Sequence, residues 1–501
     1  MAPKDKLTEY ERKRLETIRR NDEMVAALKI PSKASQLTGT AKRQRVSVEE
    51  SKSYKPTTEK KSEPAFVNRR SLRTRGMPPE GVGGVPVLEK VSPRVEGPLS
   101  MAAAHDGAGC NGTLVATLLS INKNPQIVSP PVKAESAGGE VVKKEEAEYG
   151  VSFDSARVKT EGCNVGMKEE KKDVESLLDL GSMKLETDNI AKVVTGNVMN
   201  VKFLPCSDLR MVVVGSKSGQ VGFWNMDSTR DDDDHQNGVV HLYRPHTGPI
   251  GAILFHESCF SKIITSCYDG YIRMMDAEKE VFELVHHGDD GIFCLSRRPN
   301  DDKSLYFGEG LGGLTVFDDK MGKVSSQWFP HEDRINTIHF NPRNPNIMAT
   351  ASKDKTARIW DLRCVGSGQP RCLKMVSHNR AVNSAYFSPS GCSLATTSLD
   401  DHVGIHSGID FEDNCMIPHD NQTGRWISKF RAIWGWGDAY IFIGNKKNGV
   451  DVISPVENRV VTTLKGSEII AIPCRFDAHP HRVGMLAGGT GGGQVYVWTS
   501  S

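Results

Sequence analysis

Hydrophobic and polar positions change rhythm near residue 190. From there to the C-terminus, short runs rich in Val, Ile, Phe, Tyr and Trp alternate with turns of Gly, Asp, Asn and Pro, the pattern of many short strands and few helices. Within this region one kind of strand recurs. Its equivalent positions are Trp224, Met275, Phe317, Trp360, His406, Ile453 and Trp498, at intervals of 51, 42, 43, 46, 47 and 45. Each follows a turn with Gly, Asp or Asn: Ser218-Gly219, Asp269-Gly270, Gly312-Gly313, Asp354, Asp400-Asp401, Asn448-Gly449 and Gly492-Gly493. Seven repeats of one four-stranded unit predict an all-β, seven-bladed β-propeller over residues 186–501, because a single unit cannot bury both faces alone. The strand after Lys192 is expected to form the outer edge of the last blade and close the ring by overlap. The long first interval holds Asp231-Asp232-Asp233-Asp234, read as a surface loop.

The best-formed unit opens at His331, continues through Ile335–Phe340 and ends in Ser352-Lys353-Asp354-Lys355-Thr356-Ala357-Arg358-Ile359-Trp360-Asp361-Leu362-Arg363. This ending resembles that of a WD40 repeat. His246, His331 and His378, near blade starts, read as structural histidines linking Ser/Thr and Asp within blades, not as metal ligands or catalytic groups.

The first 190 residues differ. Residues 1–30 read as an N-terminal amphipathic helix. Thr8 and Glu11 have capping-box spacing, Pro31 ends it, and Leu7, Tyr10, Leu15, Ile18, Val25 and Leu28 share roughly 140° of the helix surface. Residues 31–185, rich in Ser, Pro, Gly, Lys and Glu, read as a mostly disordered basic arm and acidic linker.

Charge sharpens that division. Residues 1–100 carry 22 Lys and Arg against 13 Asp and Glu, residues 101–190 carry 10 against 15, and the remainder is near balance, so the overall +2 conceals a basic arm. Lys42-Arg43-Gln44-Arg45 suits nuclear import. Arg69, Arg70, Arg73 and Arg75 make a phosphate-seeking cluster, since each guanidinium can fork onto phosphate; a solvated import signal fits it equally. The linker repeats hydrophobic-Lys-x-Glu at Lys133, Lys143, Lys159, Lys168 and Lys184, the spacing of SUMO acceptor sites. Eleven scattered Cys without Cys-x-x-Cys predict free thiols in a reducing compartment. The charged N-terminus is no secretory signal and no stretch is long and apolar enough for a membrane span, which predicts a soluble intracellular protein without membrane partners.

No phosphate-cradling loop, His-Glu-x-x-His, nucleophile elbow or kinase signature occurs, so the chain is expected to be non-enzymatic, with no cofactor, metal or small-molecule substrate. Two binding sites stand out. Arg363, two residues past Trp360-Asp361, forms a Trp-Asp-x-Arg ending whose planar fork suits acidic groups on a partner; a local structural contact is the plainer use. In residues 419–434, Arg425, Lys429 and Arg431 interleave with Trp426 and Phe430. Strict alternation assigns Phe430 and Trp434 to the core. Arg425, Trp426, Lys429 and the nearby turn Lys446-Lys447 are left for phosphate pairing and base stacking. Arg297-Arg298 occupies another inter-strand loop.

Taken with Tyr10–Asn21, Arg69–Gly76, Ala351–Arg363 and Asn421–Trp426, the chain resembles the WD-repeat protein 76 / damage-specific DNA-binding protein 2 family, especially its plant and fungal branch. The resemblance covers the chain except about 95–185. It implies a nuclear protein of the DNA damage and stress response that binds damaged, notably ultraviolet-damaged, duplex. It also implies a substrate receptor docked through Arg363 on a cullin–RING ubiquitin ligase adaptor. In the family a hairpin before the sixth-blade strand inserts an aromatic wedge into the lesion, and Gly424-Arg425-Trp426 matches that place, although the wedge sequence differs. The alternative is a chromatin- or histone-associated interaction scaffold whose DNA contact resides in the arginine arm.

Overall fold

The computed structural model describes residues 95–107, 111–122, 178–228, 238–256, 259–366 and 368–500, besides Arg19. Seven antiparallel sheets stand in a ring, and their innermost strands touch in succession from the first blade to the seventh and back to the first. With strands a to d running outward, the a strands are Val198–Phe203, Ile250–His256, Ile292–Arg297, Ile335–Phe340, Val382–Phe387, Ile433–Trp434 and Pro473–Ala478. The third, or c, strands are Val221–Asn225, Tyr271–Asp276, Leu314–Asp318, Thr356–Gly366, His402–Ser407, Gly449–Ser454 and Gln494–Ser500. All seven positions used as a ruler in the sequence fall on these c strands. The propeller expectation is correct.

The turn before each c strand carries one residue in the left-handed region: Gly219, Gly270, Gly312, Lys355, Asp401, Asn448 and Gly493. At Gly219 and Gly312 a Cβ would lie 2.1 Å from the carbonyl oxygens of His246 and His331, so glycine is required there for the neighbouring blade to pack. Because strands alternate in direction, the b–c turns and the connections from strand d to the next strand a share one face, here called upper. The a–b and c–d turns share the lower face.

Ring closure needs one correction. The strand that completes blade 7 is Met183–Lys192, paired antiparallel with Gln494–Ser500; it ends at Lys192 and does not begin there. A register shift between Leu185 and Ile190, filled by exposed Glu186-Thr187-Asp188, breaks the alternation that would have marked it. Lys184, one of the five linker lysines, therefore sits exposed within the propeller.

A second difference is larger. Part of the stretch read as linker is built into the ring. Leu99–Ser100 adds a strand to the outer edge of blade 2, pairing with Phe282 and Val281. Helix α1 (Met101–Ala104) follows, capped by Ser100, whose hydroxyl accepts from Ala103 N at 3.1 Å. His105 bridges to Tyr243 on blade 1, and the Asp106 carboxylate accepts from Gln220 Nε2 at 2.8 Å and Arg244 Nε at 3.0 Å. Helix α2 (Asn111–Asn122) buries Leu114, Val115 and Leu118 in one cluster with Met101, Phe223, Tyr243, Ile263 and Phe282, across the seam of blades 1 and 2. The helical face was hidden in the sequence because its buried positions, adjacent at 114–115 and then 118, sit among Gly, Ala and Thr.

The structural histidines act as expected in two blades. His331 Nδ1 meets Asp354 at 2.8 Å and its Nε2 meets Thr350 Oγ1 at 2.7 Å, and the Trp360 indole donates to the same hydroxyl at 2.9 Å. His378 repeats this with Asp400 at 3.2 Å and Thr396 at 3.1 Å. There His406 stands in the place of the tryptophan, 3.2 Å from Thr396 Oγ1. In blade 2, His246 keeps its Thr265 contact at 2.9 Å but stands 3.9 Å from Asp269.

Candidate nucleic-acid interface

The connection from blade 5 to blade 6, residues 419–432, emerges on the upper face. Its base is clamped by the turn residue Asp401. That carboxylate accepts from the backbone N–H groups of Asn421 and Gln422 at 2.9 and 3.1 Å and from Gln422 Nε2 at 2.6 Å. Asn421, buried, donates onward to Ser398 O and His402 O. The chain then reverses at Gly424, whose φ is +62°. It returns against a different part of the ring. Asn197 Nδ2 donates to Trp426 O at 3.0 Å, Ser428 Oγ donates to Val198 O at 2.6 Å, and Ile427 stands against Gly491.

The loop thus runs from blade 5 to blades 7 and 1, fixed on both limbs. Its tip holds Trp426, 94% exposed. A rigid loop that leaves an indole in solvent gives up the stabilisation its burial would bring, of order 2–3 kcal/mol for a large apolar side chain. Phe430 and Trp434 are buried, as the alternation required.

Cations lie along this loop and around Lys429 at its foot. Arg425 is exposed, and its guanidinium has no partner among the described residues. Lys429 has its pKa lowered by burial first and then by Arg334, Lys353, Arg475 and Arg431, with no carboxylate among the causes. Arg475, buried in the innermost strand of blade 7, donates through Nε to Met199 O at 2.9 Å and through Nη1 to Lys429 O. Burial, followed by the charge of Arg431, pushes its pKa down to about 9. Arg431 donates to Asn336 O at 3.0 Å. Arg431 and Arg475 line a central channel cavity of about 380 Å³. Lys353 differs, being paired with Asp333 at 3.0 Å. The result is a channel mouth with several like charges drawn from blades 4, 6 and 7.

Sequence reasoning placed Arg425, Trp426 and Lys429 in this site, and the structure brings them together. It missed Arg475 and Arg334. The one local signal was an arginine in Pro-Cys-Arg-Phe, where an innermost strand should be apolar. Lys446 and Lys447 lie on the same face, but Lys446 is engaged by Asp420 at 2.5 Å, leaving Lys447 exposed. Arg297 and Arg298 belong elsewhere: on the lower side Arg297 pairs with Asp319 at 3.3 Å and Arg298 donates to Pro345 O at 3.0 Å. Arg69, Arg70, Arg73 and Arg75, the residue 1–30 helix and the Asp231–Asp234 loop lie outside the described residues.

Arg363 occupies the opposite, lower face. Its guanidinium forks onto Asp361, with Nε to Oδ1 at 3.0 Å and Nη2 to Oδ2 at 2.7 Å, while its side chain stays 61% exposed. The local contact and the exposed presentation therefore coexist: Asp361 holds the fork in place. Asp361 and Trp360 are 5% and 4% exposed, so they support Arg363 from beneath and offer little surface of their own.

This ring, with the Trp360-Asp361 strand end of blade 4 and the His–Thr–Asp links of blades 4 and 5, defines a WD-repeat β-propeller protein, and the family "WD domain, G-beta repeat" matches residues 322–361 and 370–407. Homologues extend over nearly the whole chain. It is 25% identical to WD repeat-containing protein 76 of Mus musculus over 98% of this chain and 74% of that protein. It is 24% identical to DNA damage-binding protein CMR1 of Kluyveromyces lactis over 98% of this chain and 99% of that one. With DNA damage-binding protein cmr1 of Neurospora crassa it shares 27% identity over 62% of this chain and 66% of the other.

Proposed function

We propose that this chain is a nuclear, non-enzymatic DNA-binding protein of the damage response, holding duplex on its upper face and favouring damaged sites. The observation that carries this is the fixed loop that raises Trp426 into solvent beside cations lacking carboxylate partners. Lys429, Arg425 and Lys447 supply charge for the phosphates. The indole supplies a flat surface for a base already loosened from its stack. A lesion lowers the cost of unstacking, so preference for damage needs no lesion-shaped pocket. The names of the fungal relatives point the same way.

We further propose that Arg363, on the lower face, docks the chain on a cullin–RING ligase adaptor as a substrate receptor. Placement on opposite faces lets DNA and adaptor bind together.

The test is binding of the full chain to intact and ultraviolet-irradiated duplex across a salt series, wild type beside Trp426→Ala. Irradiated DNA should bind more tightly, affinity should fall steeply with salt, and the substitution should remove most of the preference. Base–aromatic stacking is worth about 1–3 kcal/mol, roughly 5–150-fold. Binding that is unaffected by the substitution and disappears only on deleting residues 1–94 would assign DNA contact to the arginine arm and leave the ring as a protein-docking scaffold.

A further inference from the structure

Among its differences from blades 4 and 5, blade 2 changes the residue that ends strand b. At the end of strand b, where those blades place Ser352 and Ser398, it places Cys267. Next to that sulfur the usual His–Asp hydrogen bond is missing. His331 and His378 reach their aspartates at 2.8 and 3.2 Å, whereas His246 Nδ1 stands 3.9 Å from Asp269 Oδ1 and has no hydrogen-bond partner, although the ring is buried. A buried ring nitrogen left without a protein partner is unfavourable unless something else satisfies it. We propose that blade 2 binds a divalent, thiophilic metal ion of the zinc class between His246 Nδ1, Cys267 Sγ and an Asp269 carboxylate oxygen.

The geometry suits such an ion. The three ligand atoms already lie within 4.8 Å of one another. Around tetrahedral zinc, with bonds of about 2.0–2.3 Å, ligand atoms stand about 3.3–3.7 Å apart, so the site needs a closure of up to about 1.5 Å. The far side of the ring is held as in blades 4 and 5. His246 Nε2 faces Thr265 Oγ1 at 2.9 Å, which holds the ring and leaves the Nδ1 lone pair toward the sulfur and carboxylate. Asp269 is itself positioned by Thr247, which donates from N at 3.1 Å and from Oγ1 at 3.0 Å, and by Tyr271 N at 3.1 Å.

A cavity of about 250 Å³, walled by Val95, Leu99, Arg244 and Tyr271, reaches His246 and Asp269, giving a path of entry and room for water as the fourth ligand. The two arginines nearby are engaged: Arg273 donates to Val95 O and Gly97 O, and Arg244 pairs with Asp106. A thiolate, an imidazole and a carboxylate select zinc or cobalt over calcium or magnesium, which take oxygen alone. On binding, the Cys267 S–H bond breaks, its proton leaves to solvent, and the freed sulfur pair bonds to the metal.

The test uses the full chain stripped with chelator and titrated with Co(II), then with Zn(II). One Co(II) per chain with a thiolate-to-cobalt charge-transfer band, displaced by zinc, is the expected result. Cys267→Ser, which installs the residue blades 4 and 5 carry, should abolish the band and weaken binding at least tenfold, while leaving the metal-free unfolding midpoint unchanged. Asp269→Asn should weaken binding without removing the band. Absence of the band in wild type, or an equal band in Cys267→Ser, would overturn the assignment.

Discussion

Leu118→Ala measures whether the segment before the ring is part of the fold. Leu118 lies on α2 and is 0% exposed, packed with Leu114, Met101 and the core of blades 1 and 2. Cutting it to alanine removes three carbons from a site whose neighbours belong to two different sheets and cannot collapse together. Buried Leu→Ala changes cost about 2–5 kcal/mol, and the shared seam argues for about 3. A linker lying free in solvent would give a change near zero. Urea unfolding of the full chain reads the difference directly, with Ala116→Ser on the solvent side of the same helix as control. The two values should differ by about 3 kcal/mol. A Leu118→Ala loss below about 0.5 kcal/mol would refute the packing of α2. The outcome also governs how the DNA assay is done. A fragment starting at residue 186 lacks Leu99–Asn122 and cuts into the closing strand Met183–Lys192, so weak DNA binding by such a fragment would report a damaged ring.

Three further outcomes are expected. Thr350→Val should destabilise the ring by about 2–4 kcal/mol in urea unfolding, because it leaves His331 Nε2 and the Trp360 indole N–H buried without a partner; a loss under about 1 kcal/mol would contradict the network. Stability should fall as pH drops from about 6.5 toward 4. Burial holds His406 and His479 near 4 in the folded chain, so the unfolded imidazoles take up protons first, at up to about 1.4 kcal/mol per pH unit for each; urea midpoints that stay level between pH 7.5 and 5 would contradict this. Arg363→Ala should leave the unfolding midpoint in place and abolish capture of a purified ligase adaptor, while Arg358→Ala, whose side chain folds back onto Pro330 O, should not impair capture; equal loss in both would remove Arg363 from that role.

Legibility in the sequence followed the range of the interactions. The c strands could be counted because each carries its own local signature, a left-handed turn followed by alternating apolar residues, repeated near one period. Trp426 was legible for a similar reason: alternation through Phe430 and Trp434 assigned those two to the core and left Trp426 with no strand to occupy. The strand Met183–Lys192 was misplaced because its polar bulge conceals the alternation, and α2 was missed because its apolar face at Leu114, Val115 and Leu118 has no charged face opposite it to set it off. Arg475 and Arg334 approach Lys429 from other blades, Arg475 across 46 residues of chain, and no local pattern marks such a meeting. Cys267 reads in the sequence as one more scattered thiol; only superposing blades 4 and 5 sets it against Ser352 and Ser398 and beside a missing His–Asp hydrogen bond.

The loop and the ring make different demands on the same residues, and the structure separates them by limb. Asp401 and Asn421 hold the ascending limb, while Asn197 and Val198 hold the descending limb, so the tip between them can carry an unburied indole without loosening either blade. The channel cations are arranged the same way. Arg475 spends its donors on the carbonyls of Met199 and Lys429, which fixes the loop but leaves its charge uncancelled. Burial first, and then that charge with those of Arg334, Lys353 and Arg431, depresses the Lys429 pKa, so the mouth of the channel is poised for an anion that the folded chain does not supply. A phosphate arriving there would relieve repulsion already built into the fold, and part of its binding energy would come from that relief. Replacing Arg475 should therefore affect two observables together, the order of the Trp426 loop and the salt dependence of DNA binding, whereas replacing Arg425 at the tip should alter only the second.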